Sequence, residues 1–273
     1  MKITRLPASL ACLTCLATLL AALAGCASTD GLTADRIGAV LSAPDRSAGD
    51  RFNDIRRHPA EMLAFIRVRP GMTVLDVSAA RGYTSELLAR AVGPTGKVYA
   101  QNAPRRENAT PPAQPEGQAA PLPAGTPPPL PTLAERTRNP ALAHLAVVSR
   151  PFEDPAPPEA IGHLDLVTLM FNYHDFGHMG VDRAKLNAAV FRALKPGGVY
   201  VIADHSGRPG TGISEAGTLH RVEEAFVRSE VEAAGFRLAE VGNFMRNPND
   251  PRDRNTPVPP MPKDEFVLKF VKP

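Results

Sequence analysis

The segment from Arg69 to Ala91 constrains this chain more than any other, because it reads in order as a turn, a buried strand, a tight loop and a helix start. Pro70-Gly71 turns the backbone. Thr73 to Val77 is a short apolar run with β-branched residues, and it carries an acid at Asp76. Thr84 then supplies an N-cap, and Glu86 a first-turn charge, for an amphipathic helix reaching Val92. This order delivers Asp76 and the following loop to the carboxyl edge of a sheet, where open α/β folds bind ligands. A nucleotide-like molecule would sit there.

The rest of the chain continues the alternation. Residues from Ala34 to about Arg69 read as helical, with Ile37, Val40 and Leu41 on one face, and Pro59 opening a second helix that carries Met62, Leu63, Phe65 and Ile66. Lys97 to Gln101 is a second strand, Leu133 to Leu142 a short helix and Leu145 to Ser149 a third strand. Leu164 to Phe171 is continuously apolar around Asp165, as a central strand covered on both faces requires. Asp182 caps a helix whose stripe is Leu186, Val190 and Leu194, and Lys195-Pro196-Gly197-Gly198 turns into a strand from Val199 to Ala203. A helix from about His220 to Ala234 stops at Gly235, and Phe236 to Val241 and Glu265 to Val271 supply two closing strands. The expectation is an α/β fold: a mostly parallel seven-stranded sheet with helices on both faces, closing on an antiparallel hairpin.

Composition bounds what surrounds that core. With 43% hydrophobic and 22% charged residues, the length suits one domain with decorations. The 29 prolines are concentrated: ten fall between Pro104 and Pro131 among alanine, glycine and glutamine, too little apolar surface to order itself. Residues 103–131 are therefore expected to be a disordered surface insertion, with a proline-rich recognition segment or a lid as the functional alternative. The net charge of +3 falls to +1 without Lys2 and Arg5, too near neutral to imply nucleic acid as a partner.

Lys2 and Arg5 precede an apolar run from Leu10 to Ala24 that is short for a membrane span, which marks residues 1–25 as a targeting signal. Leu23-Ala24-Gly25-Cys26 resembles a bacterial lipobox, whose cysteine becomes the lipidated first residue of the mature chain. An ordinary secretory signal is the alternative. Ala27 after the cysteine resembles lipoproteins sent to the outer membrane. The expected organisation is a signal at 1–25, a tether and helix start at 26–42 and the folded domain at 43–273. Membrane attachment would run through Cys26, in the envelope, facing the periplasm. Cys12 and Cys15 lie within the signal, so the mature chain has no second cysteine for an internal disulfide.

Val74-Leu75-Asp76 entering a glycine-containing loop, Leu194-Lys195-Pro196-Gly197-Gly198 before a strand, and Ala233-Ala234-Gly235-Phe236 after a helix together resemble class I S-adenosylmethionine-dependent methyltransferases, which have a Rossmann-like fold. Arg57-His58-Pro59, Gly82-Tyr83-Thr84, Asn172-Tyr173-His174-Asp175, Asp204-His205 and Leu219-His220-Arg221 resemble an exported bacterial branch of predicted methyltransferases. The resemblance runs from about Ala43 to Pro273 outside the proline-rich stretch. It implies S-adenosylmethionine as cofactor and a small or envelope-associated methyl acceptor.

The resemblance also maps cofactor contacts onto Asp76, Ser78, Ala80, Arg81, Gly82 and Tyr83. It places Gln101 and Asn102 where the family usually has a ribose-binding acid, Glu153 and Asp154 near the adenine, and Asn172 past the fourth strand. Ser78 and Ala80 stand where the family usually has glycine, so a left-handed backbone there would carry a Cβ. Arg81 brings a guanidinium close to where a sulfonium would lie. These departures keep a second expectation open: a non-catalytic binding lipoprotein on a methyltransferase scaffold. His174, oriented by Asp175, is the first candidate base and His205 the second, with loop-stitching as the alternative role. His220-Arg221 would hold an anionic substrate or form a solvated helix face. No metal is expected, since His174, Asp175 and His205 lack a tight ligand spacing.

Overall fold

The computed structural model describes residues 31–104, 128–255 and 261–273; the signal, Cys26 and the greater part of the proline-rich insertion lie outside these residues. The elements, in order, are α1 (Ala34–Ser42), α2 (Ala48–Arg57), α3 (Pro59–Ile66), β1 (Thr73–Val77), α4 (Tyr83–Val92), β2 (Lys97–Asn102), α5 (Leu133–Arg136), β3 (Leu145–Ser149) and β4 (Leu164–Met170). Then follow α6 (Phe176–Met179), α7 (Arg183–Ala193), β5 (Leu194–His205), α8 (Ala216–Leu219), α9 (Glu224–Ala233), β6 (Arg237–Gly242) and β7 (Glu265–Val271).

The seven strands lie in the order β3-β2-β1-β4-β5-β7-β6. The sheet is mixed: β1 to β5 pair in parallel, and β7 runs antiparallel to both β5 and β6. Side chains alternate between the two faces, as strand geometry requires. Val74, Leu166 and Val201 join α1, α3 and α4 in one apolar cluster, while Leu75, Val167 and Ile202 join α7 and α9 in the other.

Element types follow the sequence expectation more closely than their ends do. The helical stretch before β1 divides into three: it breaks after Ser42, where Ala43 leaves the helical region at ψ 125°, and again at left-handed His58, φ 45°, and it ends at left-handed Arg67, φ 57°. Thr84 is not the N-cap of α4; Gly82, at φ 82°, precedes a helix that starts one residue earlier. The helix predicted from Leu133 to Leu142 stops at Arg136 and resumes only as a single 3-10 turn. His220 is likewise left-handed, so α9 begins at Glu224. Lys195-Pro196-Gly197-Gly198 is not a separate turn but the bulged start of β5.

The trailing end of the proline-rich stretch packs against the domain, contrary to its predicted disorder. A Cβ on Gly49 would lie 2.6 Å from the Pro129 carbonyl oxygen, and the Leu130 carbonyl accepts hydrogen bonds from Arg81. Directly behind this contact, the buried Arg136 joins three elements. Its guanidinium donates to both oxygens of Asp50 in α2, at 2.9 and 2.7 Å, and to Glu86 in α4, while its Nε donates to the Arg81 carbonyl at 2.7 Å.

Candidate functional site

The loop after β1 carries three successive departures from ordinary backbone. Ser78, Ala80 and Gly82 have φ of 57°, 50° and 82°, so two residues with a Cβ occupy conformations that favour glycine. Each costs about 1–2 kcal/mol and persists only because its surroundings over-determine it. Those surroundings are visible. The Ser78 N–H donates to Gln101 Oε1 at 3.0 Å, the Ala79 N–H to the Gln101 carbonyl at 2.8 Å, and the Ala80 N–H to Asn102 Oδ1 at 2.8 Å. Asn102 Nδ2 returns a bond to the Ala80 carbonyl at 3.1 Å, and Ser78 Oγ donates to Asn172 Oδ1 at 2.5 Å.

A direct expectation follows for Ala80→Gly. The substitution removes one left-handed Cβ while keeping every bond of the loop, so the chain should gain on the order of 1 kcal/mol, less the added freedom of the unfolded glycine. A thermal melt should show a small rise in unfolding temperature. A fall of several degrees would mean that the Ala80 methyl packs usefully.

This lattice reassigns several residues expected to touch a ligand. Gln101 is buried, and its amide is consumed between Ser78 and the Arg150 carbonyl, 2.6 Å from Nε2; Asn102 is closed on Ala80. Neither offers a free acceptor. Glu153 accepts from the Asp182 N–H at 3.2 Å, and Asp154 is paired with Arg150, so both acids stitch loops. Arg81 turns to the Leu130 carbonyl, and Tyr83 donates its hydroxyl to Asp54 at 2.7 Å. Asp76 is buried with both oxygens engaged, by Ser85 Oγ at 2.5 Å and Thr168 Oγ1 at 2.7 Å. Burial pushes its carboxyl up to about 6 against the pull of those hydroxyls.

Beside the loop is a cavity of about 190 Å³, lined by Asp76, Ser78, Ala80, Tyr83, Met170 and Arg57, a motif residue to which the sequence reading gave no binding role. The Arg57 guanidinium lies 3.7 Å from the centroid of the Phe171 ring. Its Nε is buried and has no hydrogen-bond partner among the described residues. Burial, with Arg56 next to it, lowers its pKa to about 10. A stacked, unanswered guanidinium at a cavity wall is poised to receive a carboxylate. The sequence signal was Arg57-His58-Pro59, but nothing local tells a half-buried arginine from a solvated one.

The Phe171 ring is 5.5 Å from that of His205, and a second cavity of about 250 Å³ opens between Arg56, His58, His205, Met245, Lys263 and Glu265. His205 Nδ1 is 2.9 Å from Glu265 Oε1 but out of line for a hydrogen bond, and it has no other partner among the described residues. Burial pushes the His205 pKa down to about 3 and the Glu265 carboxyl up to about 7, the latter in spite of Arg57 and Arg56. His205 is thus neutral at ordinary pH, and Glu265 titrates where a general base is useful. Glu265 was legible only as the first residue of a strand.

The predicted base His174 is differently placed. It is buried, its Nδ1 lies 2.6 Å from Asp204 Oδ1, and its Nε2 lies 3.2 Å from Asp175 Oδ1. Burial works to lower its pKa, but the hydrogen bond and charge of Asp204, with Asp175, raise it on balance. Its Nε2 faces Asp175, and His174 lines neither of the two cavities, so it is not placed to take a substrate proton there. Asp175 receives His220 Nδ1 at 3.0 Å and Asn172 Nδ2 at 2.8 Å. Arg221 holds no external anion: it is fully buried and paired with Asp250 at 2.8 Å.

No family model and no curated protein sequence matches the chain. Solved structures do. An S-adenosylmethionine-dependent methyltransferase from Aquifex aeolicus superposes with a TM-score of 0.52 at 19% identity, covering 88% of this chain and 98% of that one. One from Mesorhizobium loti gives 0.51 at 13% identity, covering 78% and 96%. The chain has the methyltransferase fold. In that fold, as in other open α/β sheets, the crevice at the carboxyl ends of the strands is the binding edge. The loop after β1, the Arg57 cavity, His174 and His205 all lie along this edge of the methyltransferase fold, and the start of the reversed β7 joins them there.

Proposed function

We propose that this chain is an S-adenosylmethionine-dependent methyltransferase of the bacterial envelope, anchored by lipid on Cys26 and acting on a small or envelope-associated acceptor. The observation that carries the reading is Arg57: a half-buried guanidinium whose buried Nε has no partner among the described residues, facing a cavity bounded by a left-handed loop. Arg57 suits the carboxylate end of the cofactor, and the cavity of about 190 Å³ would have to widen to take the adenosyl part. Arg57 would pair with its carboxylate, and the backbone from Ser78 to Ala80 would lie against its methionine and ribose parts. When bound, S-adenosylmethionine supplies an electrophilic methyl group. Glu265 would take the proton of an acceptor hydroxyl, amine or thiol in the second cavity, and neutral His205 would orient that group.

Titration calorimetry of the full chain with S-adenosylmethionine tests this directly: saturable heat at one site per chain is expected. No heat at millimolar ligand, with the chain folded, would favour the alternative of a binding lipoprotein on a scaffold that has lost its cofactor. The engagement of Gln101 and Asn102 by the loop backbone supports that alternative, because it leaves the ribose hydroxyls without an acid. The anchor has its own test. Cys26→Ser should move the chain from the membrane fraction to the soluble one.

Glu265 also predicts a pH dependence. Its raised pKa means that the folded chain keeps a proton the unfolded chain releases near 4.5, so this contribution to stability is full below 4.5 and is lost as pH rises to about 7. Glu265→Gln should therefore be more stable than the parent at pH 8, by on the order of 2–3 kcal/mol, with little difference at pH 4. Melts at the two pH values check this, and equal melting at pH 8 would show that Glu265 is not held protonated.

A further inference from the structure

The geometry points to a divalent transition-metal site formed by His174 Nε2, Asp175 Oδ1 and His220 Nδ1, a centre that goes beyond the methyltransferase reading and does not depend on it. The carboxylate oxygen lies 3.2 Å from the first nitrogen and 3.0 Å from the second, and all three atoms fall within 4.8 Å of one another. Ligands about 2.0–2.1 Å from a tetrahedral zinc ion stand about 3.3 Å apart, so one ion bridges these atoms with small adjustments. Among the described residues this is the one cluster of three or more histidine, cysteine or acidic groups so arranged.

The surrounding contacts are those that orient metal ligands. His174 Nδ1 is fixed by the buried Asp204, which also accepts the His174 N–H at 2.8 Å, so Nε2 is turned toward Asp175. A carboxylate behind the histidine sets its tautomer and strengthens it as a donor to metal. Asp175 Oδ2 is held by Asn172, leaving Oδ1 for the ion. His220 takes a left-handed conformation, φ 51°, which histidine tolerates better than most residues. The Asp175 and His220 side chains are 23% and 40% exposed, which gives an ion a path in, whereas the His174 side chain is 4% exposed. Two imidazoles and one carboxylate suit a first-row divalent ion such as zinc, cobalt or iron, with at least one position left for water or an acceptor oxygen. His178 Nδ1, 4.0 Å from Asp175 Oδ1, is near enough to become a fourth ligand by a side-chain rotation. His205 is not in the set.

The test uses the full chain without a histidine tag. Calorimetry with zinc should give one equivalent bound per chain, and cobalt should give a visible absorption band from a low-coordinate site. His220→Asn keeps a residue tolerant of the left-handed backbone. It should leave the melt of the metal-free chain unchanged and weaken zinc binding by about 100-fold or more, beyond what loss of an orienting group alone produces. His163→Asn, at an exposed position before β4 and outside the cluster and both cavities, should bind as the parent does. Absence of saturable zinc or cobalt binding at 0.1 mM, or equal affinity in His220→Asn, would overturn the site and leave the cluster as an ion-pair network; neither result would touch S-adenosylmethionine binding.

Discussion

Arg136→Ala should lower the unfolding temperature by roughly 10–15 °C, the largest stability effect expected of any single substitution in the chain. The guanidinium is buried between Asp50 and Glu86, so its removal leaves Asp50 buried without its ion-pair partner and Glu86 with Arg90 alone. Breaking a buried ion cluster from one side costs about 3–5 kcal/mol, and a domain of this size loses about 2–4 °C per kcal/mol. The effect should be cooperative across elements, since the same side chain ties α2, α4 and the Arg81 carbonyl. Replacing the whole cluster together, with Arg136→Met, Asp50→Asn and Glu86→Gln, should recover much of the loss, because the penalty lies in the unpaired charges more than in the missing bonds. Melts followed by circular dichroism decide it; a shift of a few degrees would mean that water reaches the two acids freely.

Arg57→Ala should weaken S-adenosylmethionine binding by about 10–100-fold, the value of a charge-assisted hydrogen bond to a carboxylate in a partly dry site. The same substitution should not destabilise the chain at neutral pH, since a half-buried cation whose buried nitrogen is unanswered is a cost to the fold. Opposite signs in the two measurements would separate a binding role from a packing one. Arg57→Lys should fall between parent and alanine in affinity, because a point charge cannot fork onto a carboxylate. Affinity within twofold of the parent in Arg57→Ala would remove Arg57 from the cofactor site.

What could be read from the sequence and what could not divide along the range of the interactions. Thr73 to Val77 and Leu164 to Phe171 announce themselves as strands because burial on both faces demands apolar runs, a local signature. Helix ends were missed where an unusual residue turns the backbone: Arg67 and His220 are left-handed without being glycine, and no propensity argument anticipates that, whereas the start of α3 was legible from Pro59. At the site, the position of the loop after β1 was legible, as was the possibility of a left-handed backbone at Ser78 and Ala80. The direction of its side chains was not. Gln101 and Asn102 look like ligand-facing amides until β2 is laid parallel to β1, at which point their shortest path is back to the loop. Glu265 and Arg57 acquire their unusual acidities only from burial and from partners far away in the chain, so each looked ordinary in isolation.

The reversal of β7 has a consequence for how such a protein diversifies. The parallel strands present their carboxyl ends to the binding edge, but β7 presents its first residue, Glu265, beside His205 at the end of β5. On the proposed reading, the residues that would hold the cofactor and the strand that would face its target come from opposite ends of the chain, which would let the terminal hairpin vary independently. Swapping residues 237–273 among chains of this architecture should re-aim the chemistry and leave the cofactor grip untouched.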